Sequence, residues 1–166
     1  VGVELATGER YTANRIVSNA TRWDTFNSLL DHEPLPPAEQ RWQARYAQAP
    51  SFFSLHLGVR SEVIPADTDC HQILLDNWAD LEAPGGTLFL SLPTLLDPSL
   101  APRDRHILHA FTPSWLTDWT GLSPVAYQAR KQTLAQQVMQ LLEKLFPGLS
   151  GAIDHCSLGT PRTHRR

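Results

Sequence analysis

Between Ser51 and Arg60, apolar side chains alternate with small or polar ones at nearly every step. Phe53, Leu55, Leu57 and Val59 fall on one side of an extended chain, and Phe52, Ser54, His56 and Gly58 on the other. A period of two held this long predicts a half-buried strand. Shorter apolar runs predict three more: His71 to Leu75, Thr87 to Leu92 after Ala-Pro-Gly-Gly, and Arg105 to Phe111 after a proline-rich loop. Ile153 to Leu158 reads as a last short strand. Near the start, Val1 to Leu5 and Arg10 to Val17 flank Gly8 and predict a hairpin. Two strands alone are marginal, so this hairpin is expected to complete a larger sheet.

The helical period appears in three places. Trp23, Phe26, Leu29 and Leu30 fit a short helix over Thr21 to Leu30. Pro37 fits the first turn of a second helix, Ala38 to Gln48, which carries Trp42, Arg45 and Tyr46. Ser123-Pro124 opens the longest helix as N-cap and first helical residue, and Pro147-Gly148 stops it after Phe146. Its apolar stripe is Leu134, Val138, Leu141, Leu142 and Leu145. Hairpin-linked strands between helices predict an α+β class: an antiparallel sheet with packed helices.

Composition narrows the function classes. The apolar fraction is 42% and the net charge −3, so no nucleic-acid partner is expected. No run approaches the length of a membrane-spanning helix. Cys70 and Cys156 are too few for a disulfide framework and read as free, buried thiols. The chain starts at Val1 in a strand-like run and stops at Arg166 without a helix end, which suggests a piece of a longer chain.

Candidate chemistry is sparse. His106 and His109 lie three apart in a strand, on opposite faces, and Cys70-His71 and His155-Cys156 are adjacent, so no convergent metal set is expected. Gly-x-Ser-x-Gly, P-loop and Gly-x-Gly-x-x-Gly patterns are absent, and neither cysteine has an activating context. Acids such as Asp24, Asp69, Asp76, Asp80 and Asp154 are scattered; Asp97 and Asp118 look like turn and cap residues. No catalytic residue is named. The basic end, Thr160-Pro-Arg-Thr-His-Arg-Arg166, reads equally as a phosphate contact or a solvated terminus. His56, on a strand face of small residues, reads either as a cavity-lining group or as an exposed one. The small residues Ser18-Asn19-Ala20, where the strand ending at Ile16-Val17 turns into the first helix, invite close approach of something to the backbone.

Six stretches, taken in order, carry a resemblance: GERYTANRIVSNATRWDTFNSLL, PSFFSLHLGV, DCHQILLDNW, LFLSLPTLLDPSLAP, HILHAFTPSW and KLFPGL…GTPRTHRR. The chain is similar over its whole length to the carotenoid isomerases, within the phytoene-desaturase-like FAD flavoproteins. That likeness implies an internal fragment. Residues 1–20 would end an FAD domain as part of a β-meander, 21–158 would form a substrate domain, and 159–166 would begin the return to the FAD domain. It implies FAD, with Ser18, Asn19 and Ala20 beside it and its main binding motifs elsewhere. It also implies conversion of poly-cis-lycopene to the all-trans form with reduced flavin and no net redox change. The flavin would supply the chemistry and the protein an apolar, orienting surface. Aromatic and polar members of the sheet, Phe52, His56, Phe89 and Phe111, would be the substrate contacts, with Phe53 a further candidate. Peripheral membrane contact and a plastid or bacterial cytoplasm are implied as well.

One departure from that family pattern is the stretch APRDRHILH, which lacks a glycine between Pro102 and the following strand. Other readings stay open: a carotenoid desaturase of the same fold, a stand-alone carrier of an apolar ligand, or an inactive remnant.

Overall fold

The computed structural model describes residues 1–47, 49–75 and 77–164. The chain divides into two compact units, Val1–Gln48 and Ala49–Arg166. Expectations that fall on Gln48, Asp76, Arg165 and Arg166 lie outside the described residues.

In the first unit, strands β1 (Gly2–Glu4) and β2 (Arg10–Thr12) pair antiparallel, with Val3 opposite Tyr11. The turn closes through the Gly8 N–H, which donates to the Leu5 carbonyl at 2.8 Å. The second strand was expected to reach Val17 and stops at Thr12. The register carries the pairing only that far: Thr12 stands opposite Gly2, and the Ala13 N–H reaches the Val1 carbonyl. Helix α1 (Arg22–Asp24) continues directly as a π-helical turn, Thr25–Leu29, so the first helix occupies the expected span with a widened last turn. Thr21 caps it, its hydroxyl oxygen accepting from the Asp24 N–H at 3.0 Å.

Helix α2 (Pro37–Gln43) is shorter than expected. The N–H groups of Arg45 and Tyr46 both close onto the Trp42 carbonyl, at 3.0 and 3.1 Å, which tightens the chain and ends the helix. Trp42 and Tyr46 then stack at 4.6 Å, with the Trp23 ring 5.8 Å from Trp42. The Arg22 guanidinium lies over Trp42 at 4.1 Å and donates to Glu39, which is 3% exposed. Arg22 holds the Glu39 carboxyl below the usual carboxylate range.

The second unit is built on one antiparallel sheet, ordered β4-β5-β6-β3-β7. Its strands are β3 (Ser51–Arg60), β4 (His71–Leu75), β5 (Thr87–Ser91), β6 (Arg105–Ser114) and β7 (Ile153–Gly159). Strand β6 runs three residues past its expected end, through Pro113. Pro113 stands opposite Phe52 of β3 but lies beyond the residues that β5 pairs, so on that side no ladder N–H is required. Where the glycine is missing, Asp104 takes a left-handed φ of 60° just before β6, and its carbonyl accepts from the Ser61 N–H at 3.1 Å.

One face of this sheet is the core. Phe53, Leu55, Leu57 and Val59 from β3 meet Leu88 and Leu90 from β5, and Leu108 and Ala110 from β6. Helix α3 (Pro124–Leu145) covers them, burying Leu134, Val138 and Leu142, while Leu141 and Leu145 of the expected stripe are half-buried at its flank. Ser123 caps it through the Ala126 N–H. Trp119 stacks flat on Phe53, its indole N–H donating to the Ser114 hydroxyl at 2.8 Å. At the other end of α3, Gly148 takes a left-handed φ of 88°. The Glu143 carboxylate there accepts from the Gly148 and Ser150 N–H groups and the Ser150 hydroxyl. These bonds, those from Ser150 foremost, hold it below its usual range. A short helix, α4 (Pro161–His164), ends the described chain.

Candidate functional site

The other face of the five-stranded sheet is the candidate site, because strand register sorts its side chains into two parallel bands. One band is apolar. Ile73 on β4 stands opposite Phe89 on β5, Phe89 opposite Phe111 on β6, Phe111 opposite Ser54 on β3, and Ser54 opposite Gly159 on β7. The Phe89 and Phe111 rings stack at 5.6 Å with 12° between their planes. Phe52 joins them, 5.7 Å from Phe111 and 4.6 Å from the His164 ring of α4. Phe52 is 43% exposed and Ile73 67%, so the band carries apolar surface that this unit's own core does not cover.

The second band lies two residues along each strand, a step of about 7 Å. It runs His71, Ser91, His109, His56, Ser157, each opposite the next on the neighbouring strand. His56 and His109 meet edge to face with ring centroids 4.7 Å apart. The His56 Nε2 also lies 3.2 Å from the Ser54 hydroxyl, which ties the polar band to the apolar one. Burial first, and the charge His56 can carry second, push the His109 imidazole below its ordinary value. Gly159 closes the end beside α4: a Cβ there would stand 2.5 Å from the Ser54 hydroxyl and 3.2 Å from the His164 ring, so only glycine fits.

The structure therefore places Phe52, His56, Phe89 and Phe111 on one face and Phe53 on the opposite one, fully buried under Trp119. Sequence reasoning weighed His109 only as a metal ligand, and passed over Ile73 and Ser91. The alternation in β6 would have put His109 with Phe111; only the pairing of β6 with β3 puts it against His56. His106 does face the other way, opposite Val59, with its Nδ1 2.9 Å from the Thr94 hydroxyl. Of the acids, Asp97 caps the Pro98–Leu100 turn through Ser99, and Asp118 pairs with Arg130 at 3.2 Å. Cys156 is exposed rather than buried, because it sits on the edge strand β7; Cys70 is partly exposed.

Each unit also has an open cleft. One, of about 350 Å³, is lined by Tyr127, Arg162 and Thr163, with the Arg162 guanidinium 4.9 Å over the Tyr127 ring. The other, of about 420 Å³ in the first unit, lies against Arg41, Trp42 and Tyr46.

Ser18, Asn19 and Ala20 are exposed. The Ser18 hydroxyl shares a hydrogen bond with Thr25 at 2.8 Å and accepts from the Ala20 N–H. Among the described residues of this unit there is no glycine-rich strand-turn-helix to hold a diphosphate, and none of the buried side-chain polar atoms wants a partner. The described residues of this unit do not by themselves fit a dinucleotide. Among the described residues, no helix is long and apolar enough to cross a membrane.

The family of flavin containing amine oxidoreductases matches residues 1–160. The chain is 56% identical to a chloroplastic prolycopene isomerase of Arabidopsis thaliana and 53% identical to the carrot (Daucus carota) enzyme of the same name, over all of its own length in both cases. It spans only 28% and 27% of those relatives. A neurosporene-forming phytoene desaturase of Cereibacter sphaeroides is 26% identical over 99% of the chain, which spans 33% of that protein.

Proposed function

Since the chain belongs to the flavin containing amine oxidoreductase family, we propose that it is the substrate-facing part of an FAD-dependent carotenoid cis–trans isomerase. The enzyme would convert poly-cis-lycopene to all-trans-lycopene with no net redox change. Identity of 56% to a prolycopene isomerase, against 26% to a desaturase, favours isomerisation over dehydrogenation. The observation that carries the reading is the apolar band. A polyene has no polar atom to recognise, so its site must offer flat aromatic surface and shape. The stacked Phe89–Phe111 pair with Phe52 beside it supplies such a surface across the middle of the sheet.

In this reading residues 21–158 serve the substrate, residues 1–20 close the flavin domain, and 159–166 lead back to it. Ser18, Asn19 and Ala20 pass along one edge of the flavin, where small side chains let the backbone come near; the diphosphate is held by segments outside this chain. The lipid-borne substrate places the enzyme at a membrane surface. The chloroplastic names of the relatives support a plastid.

The test is an anaerobic incubation of the full-length protein, flavin reduced, with poly-cis-lycopene in liposomes. All-trans-lycopene of unchanged mass is the expected product. A product that has lost hydrogens, with an electron acceptor required, would make the enzyme a desaturase instead.

A further inference from the structure

The polar band raises a question that a hydrocarbon substrate does not answer. A polyene lying over the Phe89–Phe111 rings also lies over, or within one row of, His109 and His56. Covering those imidazoles with hydrocarbon removes water from polar groups that gain no hydrogen bond in exchange. Groups retained there at that cost are candidates for chemistry.

We infer that His109 is a catalytic acid–base residue of the isomerisation, and that His56 positions it. This rests on the carotenoid-isomerase reading above. The step conserves atoms and electrons. The protonated His109 ring gives its proton to one carbon of the polyene: an N–H bond breaks, and the π pair of one double bond forms a C–H bond. The remaining positive charge spreads over the conjugated carbons on the aromatic face. The former double bond is now of lower order and rotates toward trans. The same carbon returns a proton to the neutral imidazole, and the double bond re-forms. No electron enters or leaves, as a reaction without net redox change requires.

The surroundings suit that role. His56 braces the His109 ring edge to face at 4.7 Å and is itself within 3.2 Å of the Ser54 hydroxyl. From the other elements, Ser91 of β5, His71 of β4, and Ser157 and His155 of β7 complete this face, with His164 of α4 beside Phe52. The charged pair Arg105–Asp154 lies at the β6 end remote from Phe111. No carboxylate in that set stands between the two imidazoles, so none of these groups pins a proton on His109 permanently. Burial makes its protonated form a stronger acid than an exposed imidazolium.

The experiment uses the full-length holoenzyme, flavin reduced, with poly-cis-lycopene in liposomes made up in D2O. Wild type is expected to yield all-trans-lycopene carrying deuterium on vinyl carbons. His109→Gln is expected to lose about 100-fold in turnover, with flavin content and circular dichroism unchanged. Deuterium per turnover should fall with it. Turnover by wild type should rise as pH falls below the ordinary histidine range, and His56→Gln should move that limb more than it changes substrate KM. Isomerisation by wild type without deuterium, or a His109→Gln enzyme as fast as wild type, overturns the inference and leaves the functional reading standing. Absence of any isomerisation by wild type overturns both.

Discussion

Phe52 and Phe53 are neighbours in sequence and point to opposite sides of one sheet. Phe53 is sealed against Trp119 beside the α3 layer, while Phe52 keeps 43% of its surface and touches Phe111 and His164. The same split runs along β3. Leu55, Leu57 and Val59 are buried with Phe53; Ser54, His56 and Gly58 line the other face with Phe52. Packing decides the first face and leaves little freedom, because a close-packed interior registers every methylene. The second face is sorted by register into an aromatic band and an imidazole–hydroxyl band. That face leaves large apolar side chains such as Phe52 and Ile73 exposed, which marks it as a contact surface.

Truncation on each side should separate the two faces most sharply. Phe53→Ala empties a fully buried ring site and should cost about 3–5 kcal/mol in unfolding free energy, read by denaturant melts. Phe52→Ala should cost under about 1 kcal/mol, since the ring is half exposed already. Equal losses at the two positions would mean that the outer face is covered as core in the full protein.

A smaller effect, and one of affinity, is expected at Phe111. Phe111→Ala removes the ring that touches both Phe89 and Phe52 and should weaken polyene binding about tenfold, close to 1.4 kcal/mol, with stability changed less than by Phe53→Ala. Binding read by quenching of protein fluorescence checks it. Unchanged affinity would remove the aromatic band from the substrate site.

The alternation in β3, the strands β4, β5 and β7, and the start and stop of α3 were legible because each has a local cause: a period of two, a Ser-Pro cap, a Pro-Gly stop. The order of strands was not, since β6 and β7 reach β3 only across long connections, and with it went the His56–His109 contact. The end of β2 was misjudged for a related reason. Ile16 and Val17 have strand composition, but pairing, not composition, makes a strand. Of the site, the four proposed contacts were visible as residue types; their sharing one face depended on partners that the local sequence does not name.

Weaker again is the acid response at the foot of α3. Glu143 is bound by Gly148 and Ser150, which lowers its folded pKa. A lowered carboxylate pKa gives stability that is present above the unfolded value, about 4.3, and is lost as pH falls through the folded one. Thermal midpoints of wild type should therefore drop on acidification below about pH 4.3, and Glu143→Gln should flatten that drop while lowering the midpoint at neutral pH. An acid limb identical in the variant would place the proton uptake elsewhere. Glu143 lies on α3, which packs on the core face of the sheet and not on the aromatic one, so no change in polyene affinity is expected at neutral pH.

The smallest effect should come from Asp104→Gly, at the position where the expected glycine is absent. Its φ of 60° is tolerable for aspartate but easier for glycine, which has no Cβ to meet the following carbonyl. Against that gain stands the greater freedom of a glycine in the unfolded chain. Asp104→Gly is thus expected to shift unfolding free energy by under about 1 kcal/mol, toward stability, whereas Asp104→Val should cost about 1–2 kcal/mol because a β-branched side chain resists this conformation. The backbone bond from Ser61 to the Asp104 carbonyl survives both changes, so the pair of variants isolates the dihedral. If valine were tolerated as well as glycine, the turn would relax to negative φ at little cost. The entry to β6, and with it the placement of His109 and Phe111, would then be set by the β3 pairing alone.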